Sequence, residues 1–351
     1  MEPSRLDQLL AGFEQTRVLV IGDYFLDKYL EIDRRLAETS LETGLEVHQV
    51  YQVRTSPGAA GTVVSNLRAL QVGVVALSVI GDDGEGYELL RGLTERGVDA
   101  TPLLRTPQRC TPTYTKPMMH EPDGRVHELS RLDIKNRAPL PADLEEVIAE
   151  RLRELAPTVD GIIIADQVPE RNHGVITDTI RDVLADVAER NPRLIVAADS
   201  RMRIGEFRNA TLKPNEHEAA RALGLETGAD IPLERSMANG RALSERTGKP
   251  VFLTVGPKGG LACSAQGCSH IRPVPVEGEI DIVGAGDSTM AGIVSALCCG
   301  ATLEEAALVG QLVASVTIKC IGTTGTASQE QVRAALARWR AARPADLPGA
   351  R

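Results

Sequence analysis

Five short apolar runs, each closed by Asp or Gly, constrain this chain more than any other feature. They are Val18 to Gly22 before Asp23, Val74 to Gly81 before Asp82, Gly161 to Ala165 before Asp166, Leu194 to Ala198 before Asp199, and Val251 to Val255 before Gly256. Each is too short for a buried helix and reads as a central parallel strand. Between them lie helical patterns such as Ala142 to Leu155 and Val175 to Glu189, with Ala, Leu, Glu and Arg at helical spacing. Strand and helix in alternation predict an α/β fold, a mostly parallel central sheet with helices on both faces. Ligands of such sheets bind at the carboxyl ends of the strands, where Asp23, Asp82, Asp166, Asp199 and Gly256 are expected to gather. Any one of these Asp residues could instead cap a helix or shape a turn. As a group they favour a site.

Two stretches break the alternation. Lys28 to Thr55 and Cys110 to Asp133 contain period-two segments, LEVHQVYQV and GRVHELSRLD among them, with PDG as a hairpin turn. They predict strands of a small separate sheet, inserted at about 28–55 and 110–133, lying over the ligand edge as a lid. The apolar back of such a sheet needs cover, and a second copy of the chain, a homodimer through the lid, is the economical cover. The length of 351 residues fits one large domain, 1–351, carrying this accessory piece. A net charge of −9 disfavours nucleic acid as a partner. No apolar run is long enough to span a bilayer, and the N-terminal MEPSRLDQLLAGFEQ is too charged for a signal peptide, so no membrane association and a cytoplasmic location are expected. The six cysteines, Cys110, Cys263, Cys268, Cys298, Cys299 and Cys320, are accordingly expected to be reduced. Cys263 and Cys268 have a spacing a zinc site can use, but no second pair matches it, and buried or hairpin cysteines are expected instead. The tail RPADLPGAR is expected to fray.

The chemistry concentrates in DIVGAGDSTMAGIVSALCCG, from Asp281. Gly284, Ala285 and Gly286 make a tight turn and Asp287 opens a helix to about Cys299. Unpaired amides in the turn and the positive end of the helix dipole make a site for a phosphate or a developing oxyanion. The same field favours ionised Asp287, a carboxylate placed to accept a proton from an attacking hydroxyl. A Gly-rich turn with an Asp near a helix start has the plain alternative of a helix cap. Rival signatures are missing: neither G-x-x-x-x-G-K-[ST], nor G-x-G-x-x-G after the first strand, nor H-E-x-x-H, nor G-x-S-x-G occurs.

From about Arg17 to Arg338 the chain resembles the ribokinase-like (PfkB) carbohydrate kinases. The resemblance rests on GDYFLD at Gly22, PGAAG at Pro57, SRLD at Ser130, KPNEHE at Lys213, TVGPKGG at Thr254, DIVGAGD at Asp281 and IGTTG at Ile321. Within the family, GDYFLDKY, SRLD and KPNEHE look most like the kinase module of heptose 7-phosphate kinases; the nucleotidyltransferase domain that often follows that module is expected to be absent. The resemblance implies ATP and magnesium as cofactors. It implies Asp287 as the catalytic base and Gly284, Ala285 and Gly286 as its anion hole. Asn215 and Glu218 match the pair that organises magnesium, partly through water and phosphate. Asp27 matches the acidic residue that holds sugar hydroxyls, with Asp23, Gly58 and Ala59 beside the sugar and Lys116, Arg131 and Asp133 where lid and hinge meet it. Thr254, Gly256, Lys258 and Gly259 match the loop over the nucleotide, with Gln311 and Gly322 near the adenine.

Departures from the pattern are informative. Gly58-Ala59 replaces Gly-Gly, and Thr62 stands near a usual Asn, so sugar contacts are expected to differ. Ile282-Val283 replaces Thr-Thr, leaving Asp281 and a backbone carbonyl for a potassium ion. Gln311 stands where heptose kinases tend to have Asn. The expected reaction is transfer of the γ-phosphoryl of ATP to a hydroxyl of a sugar or sugar phosphate, a heptose 7-phosphate-like acceptor being favoured. Arg54, Lys116, Arg131 and Arg201 are candidates for a substrate phosphate. Ribose-, fructose- and adenosine-type acceptors, and a non-catalytic sensor on the same scaffold, stay open.

Overall fold

The computed structural model describes residues 1–226, 228 and 230–342; the tail 343–351, expected to fray, lies outside them. An eight-stranded sheet forms the centre. Gly73–Leu77, Arg17–Gly22, Gly161–Asp166, Ile195–Ser200, Thr211–Leu212 and Val251–Thr254 run parallel in that spatial order. The antiparallel hairpin Gly260–Ser264 and Gly267–Ile271 closes one edge. The apolar runs are continuous because both faces are buried. Val18 and Val20 pack under helices Pro3–Phe13, Ala60–Ala69, Ala285–Cys298, Leu303–Thr317 and Gln329–Ala341. Leu19 and Ile21 pack under Ala142–Leu155, Asp178–Arg190 and Leu233–Thr247. The α/β reading from the apolar runs is borne out.

Three details differ from the expectation. The run Val74 to Gly81 is two strands, because buried Ser78 interrupts it and donates its hydroxyl to the Gly22 carbonyl at 2.7 Å; Val79–Gly81 pairs instead with Leu104–Thr106. The edge hairpin and the two-residue strand Thr211–Leu212 carried no strong period. The cysteine expectation is corrected at one pair: Cys263 and Cys268 form a disulfide, since the two-residue turn sets them directly opposite each other, with Cα atoms 4.0 Å apart. Cys110, Cys298, Cys299 and Cys320 are free.

The lid is a five-stranded sheet. Tyr24–Asp33 leaves the first central strand with only Asp23 between them. It pairs antiparallel with Val50–Ala59 and parallel with Thr113–His120, which in turn pairs with Val126–Glu128 and Leu132–Ile134. The PDG segment makes the turn into Val126–Glu128, with Gly124 at φ 88. Register puts Asp27, Tyr29, Arg54, Tyr114 and Lys116 on one face, and Lys28, Leu30, Val53, Thr115 and Leu132 on the other. The polar face looks toward the catalytic edge. Among the described residues no helix is long and apolar enough to cross a membrane.

Candidate active site

The site grows from the helix Ala285–Cys298. Nine of its residues, Ser288 to Ala296, are buried, so its first turn is held rigidly. Gly284 precedes it at φ 80 and ψ 2, a conformation that suits glycine, and a Cβ there would press on the methyl groups of Thr62 and Thr324 at 3.2 Å. The backbone amides divide unevenly. Ala285 donates to the Ile282 carbonyl at 3.1 Å, so its expected share in the anion hole is corrected: that N–H is already used in the turn. Gly284, Gly286 and Asp287 have no backbone acceptor among the described residues and remain available to an anion.

Asp287 sits in the first turn of this helix, half-buried, and its pKa is pushed up to about 7. Burial is the main cause and the Asp199 carboxylate the next, while Lys213 and Arg201 pull the other way. The expected preference of the helix dipole for ionised Asp287 is thus outweighed in the free protein. Beneath the turn, Lys213 pairs with Asp199 at 2.9 Å, both near the ends of neighbouring strands. Burial alone would lower the Lys213 pKa; Asp199, Glu218 and Asp287 together reverse this, and the ammonium stays charged. Its Nζ lies 3.4 Å from the point where a Cβ of residue 286 would stand, so the glycine leaves the cation next to the anion hole.

Asn215 and Glu218 form a capping box on helix Glu216–Ala222: Asn215 Oδ1 accepts from the amides of His217 and Glu218, and Glu218 Oε2 accepts from the Asn215 amide at 2.8 Å. The second Glu218 oxygen makes no hydrogen bond among the described residues. Burial first, then the neighbouring Asp199 charge, raises the Glu218 pKa. Two carboxylates that repel in this way, with one oxygen open, fit a magnesium ion that keeps much of its water and binds phosphate oxygens.

The sugar side is built by the lid. Asp27 is buried and pairs with Lys116 at 3.1 Å, and Lys116 reaches the Tyr29 hydroxyl at 3.3 Å. Residue 58 must be glycine, since a Cβ there would lie 2.5 Å from Asp27 Oδ2. Ala59 follows at φ 53 and ψ −118, a strained conformation for a residue with a side chain. Asp27 is close enough to Asp287 for its charge to add a small part to the rise in the Asp287 pKa.

Other expected residues stand elsewhere. Asp23 is corrected: its carboxylate accepts from the amides of Gln167, Val168 and Val175 at 2.8 to 3.0 Å, fixing the loop behind the hinge instead of meeting a sugar. Asp166 is buried against Arg203 and Ser200, and Asp82 pairs with exposed Arg105, so of the four strand-end Asp residues it is Asp199 that joins Lys213 and Asp287. Arg131 and Asp133 pair with each other at 2.7 Å on the outer lid strand, with Arg131 stacked on Tyr114. On the nucleotide side, Thr254 bridges to Asn215. Gly259 has φ 98, and a Cβ at that position would lie 2.3 Å from the Ile271 carbonyl oxygen. Lys258 turns away to Asp230 and the Ile231 carbonyl, and Gln311 donates to the Ile271 carbonyl at 3.2 Å, so both hold loops. Asp281 accepts from the amides of Val283 and Gly322, each at 3.0 Å. Sequence reasoning missed the role of Lys213, whose only signal was its place at the head of KPNEHE.

A lidded parallel sheet with an anion-binding turn, a carboxylate beside it and a second carboxylate on the lid is an arrangement suited to moving a phosphoryl group onto a hydroxyl. Residues 209–330 match the model described as pfkB family carbohydrate kinase. The chain is 30% identical over 334 residues to the bifunctional protein HldE of Geobacter metallireducens, covering 95% of this chain and 65% of that one. It is 28% identical to the HldE of Desulfatibacillum aliphaticivorans, covering 92% and 64%. The chain therefore spans just under two thirds of the length of these relatives. Among solved structures, Arabidopsis thaliana ribokinase complexed with ribose and ATP aligns with a TM-score of 0.68 at 18% identity, covering 92% of this chain and 98% of that one. Escherichia coli phosphofructokinase-2 in complex with potassium aligns at 0.67 and 16%, covering 93% and 99%. These two show the shared fold. The match to the carbohydrate kinase model falls on the part of the chain that holds Asn215, Glu218, the anion-binding turn and Asp287.

Proposed function

We propose that this chain, acting as one kinase domain with an inserted lid, transfers the γ-phosphoryl of ATP to a hydroxyl of a sugar phosphate, with a heptose 7-phosphate-like acceptor favoured. The convergence of Asp287, the amides of Gly284, Gly286 and Asp287 that have no backbone acceptor among the described residues, and the Lys213 ammonium carries this reading, with Asp27 near enough to act on Asp287. Magnesium held by Glu218, with Asn215 setting that side chain's position, would neutralise charge on the nucleotide phosphates. Asp27 and Lys116 bind and orient the acceptor. Asp287, once ionised, orients the reacting hydroxyl and takes its proton. The loose transition state spreads charge over equatorial oxygens, which the amides and Lys213 stabilise from fixed positions. Lid closure excludes water.

The same proposal includes a homodimer through the lid and a cytoplasmic location. Potassium at Asp281 is the weakest fit, since both carboxylate oxygens already accept amides and residues 282 and 283 offer no side-chain oxygen. The experiment is ATP turnover across a panel of sugars and sugar phosphates, with and without magnesium. Magnesium-dependent turnover, greatest with a heptose 7-phosphate, is the expected result. Best turnover with ribose, fructose or adenosine would move the acceptor class. No turnover, combined with a melting shift on one sugar, would replace catalysis with sensing.

A further inference from the structure

Beyond the cleft, two hollows of about 750 and 360 Å³ meet along the free edge of the lid strand Val50–Ala59 and share Ser56, Arg96 and Thr323. Cations gather there although the chain as a whole carries a net charge of −9. Lys28 is paired with Glu85, Arg54 with Glu31, and Arg91 with Glu88. Arg96 is different. It caps the end of helix Gly84–Glu95, is half-buried, and spends one guanidinium nitrogen on the Gly92 carbonyl at 2.7 Å. No carboxylate pairs with it among the described residues, and burial lowers its pKa. The neighbouring Glu95 charge opposes the effect of burial only in part; a partly desolvated guanidinium without an ion-pair partner is costly, and an incoming anion would offset that cost.

The surroundings suit a phosphate. Ser56, Thr62, Thr323 and Thr324 are among the residues that line the joined hollows. Thr62 and Thr324, which line the second hollow, also pack their methyl groups beside Gly284, so these two side chains stand between the groove and the anion-hole turn. We infer that an acceptor with its reacting hydroxyl at Asp287 extends past these two side chains into the groove. The planar fork of Arg matches phosphate oxygens better than a point charge does.

We propose that this groove is a second anion site, centred on Arg96, that holds the non-reacting phosphate monoester of the acceptor. The assignment to the acceptor rests on the kinase reading above; the existence of the site does not. The first measurement melts the full chain with magnesium and β,γ-imido-ATP at saturation, so that the anion hole is filled, while inorganic phosphate is titrated. Phosphate is expected to raise Tm by several degrees in the wild type, not in Arg96→Met, and partly in Arg96→Lys, which restores charge without the fork. No rise in the wild type, or an undiminished rise in Arg96→Met, overturns the site.

The second measurement compares kcat/KM for a phosphorylated acceptor and its unphosphorylated analogue. Arg96→Met is expected to reduce the preference for the phosphorylated acceptor at least tenfold. An unchanged preference, with the phosphate-induced rise lost, overturns the acceptor assignment and points to a separate phosphorylated effector. Absence of turnover with every sugar would remove the kinase reading while the melting measurement still decides the groove.

Discussion

Asp287 and its neighbours set the chemistry at the residue scale. A base whose pKa is about 7 must be ionised to accept a proton, so kcat/KM should rise with pH and level off above neutrality, with an apparent pKa near 7. A pH–rate profile checks this, and a flat profile between pH 5.5 and 8 would count against Asp287 as the titrating base. Lys213→Met should lower kcat by about 10²-fold, as expected for loss of one charged group that stabilises the transition state. Ala59→Gly should raise stability by about 1 kcal/mol, because φ 53 is strained for alanine. Thermal denaturation measures that change, and a fall in Tm would contradict it. Asp287 was legible in the sequence because turn, glycines and carboxylate lie within a few residues of each other. Asp23 was misread because nothing local separates it from Asp27; only the fold shows that the loop 167–175 supplies three amides to the former. The Asp199–Lys213 pair joins two neighbouring strands, and no spacing rule encodes that contact.

At the scale of elements, the helix Ala285–Cys298 is held by close packing on Leu303–Thr317. A Cβ at Gly292 would lie 2.9 Å from the Gly310 Cα, where backbone meets backbone and neither can yield cheaply. Gly292→Ala should therefore cost about 1 to 3 kcal/mol, and because it tilts the helix that carries Asp287, kcat should fall with stability. Denaturant unfolding together with turnover tests this; unchanged values in both would mean that the helices tolerate separation. The central strands were legible because their apolar runs are unbroken. The edge hairpin was not, since its first strand is buried and its second partly exposed, both with Gly and Cys and little period, and its disulfide followed from a pairing register that the sequence alone does not state. The lid strands showed their alternation, but their exact ends, Tyr24 and Ala59, were hidden where lid and core share buried residues.

For the whole molecule, the lid leaves Val50, Val53, Leu132 and Ile134 exposed at 42, 53, 62 and 40%. A dimer that covers them should appear as a single two-chain species in sedimentation velocity, and Val53→Asp combined with Leu132→Asp should return it to single chains. A wild type that sediments as one chain at micromolar concentration would contradict the dimer. The most direct test of the catalytic proposal is the turnover of Asp287→Asn. That variant removes one of several crowded carboxylates and should keep its fold and its melting shift with acceptor. Its kcat should fall about 10³-fold or more, while KM for ATP changes little. A variant that phosphorylates at close to the wild-type rate would show that the proton leaves by another route and that residue 287 is not the base.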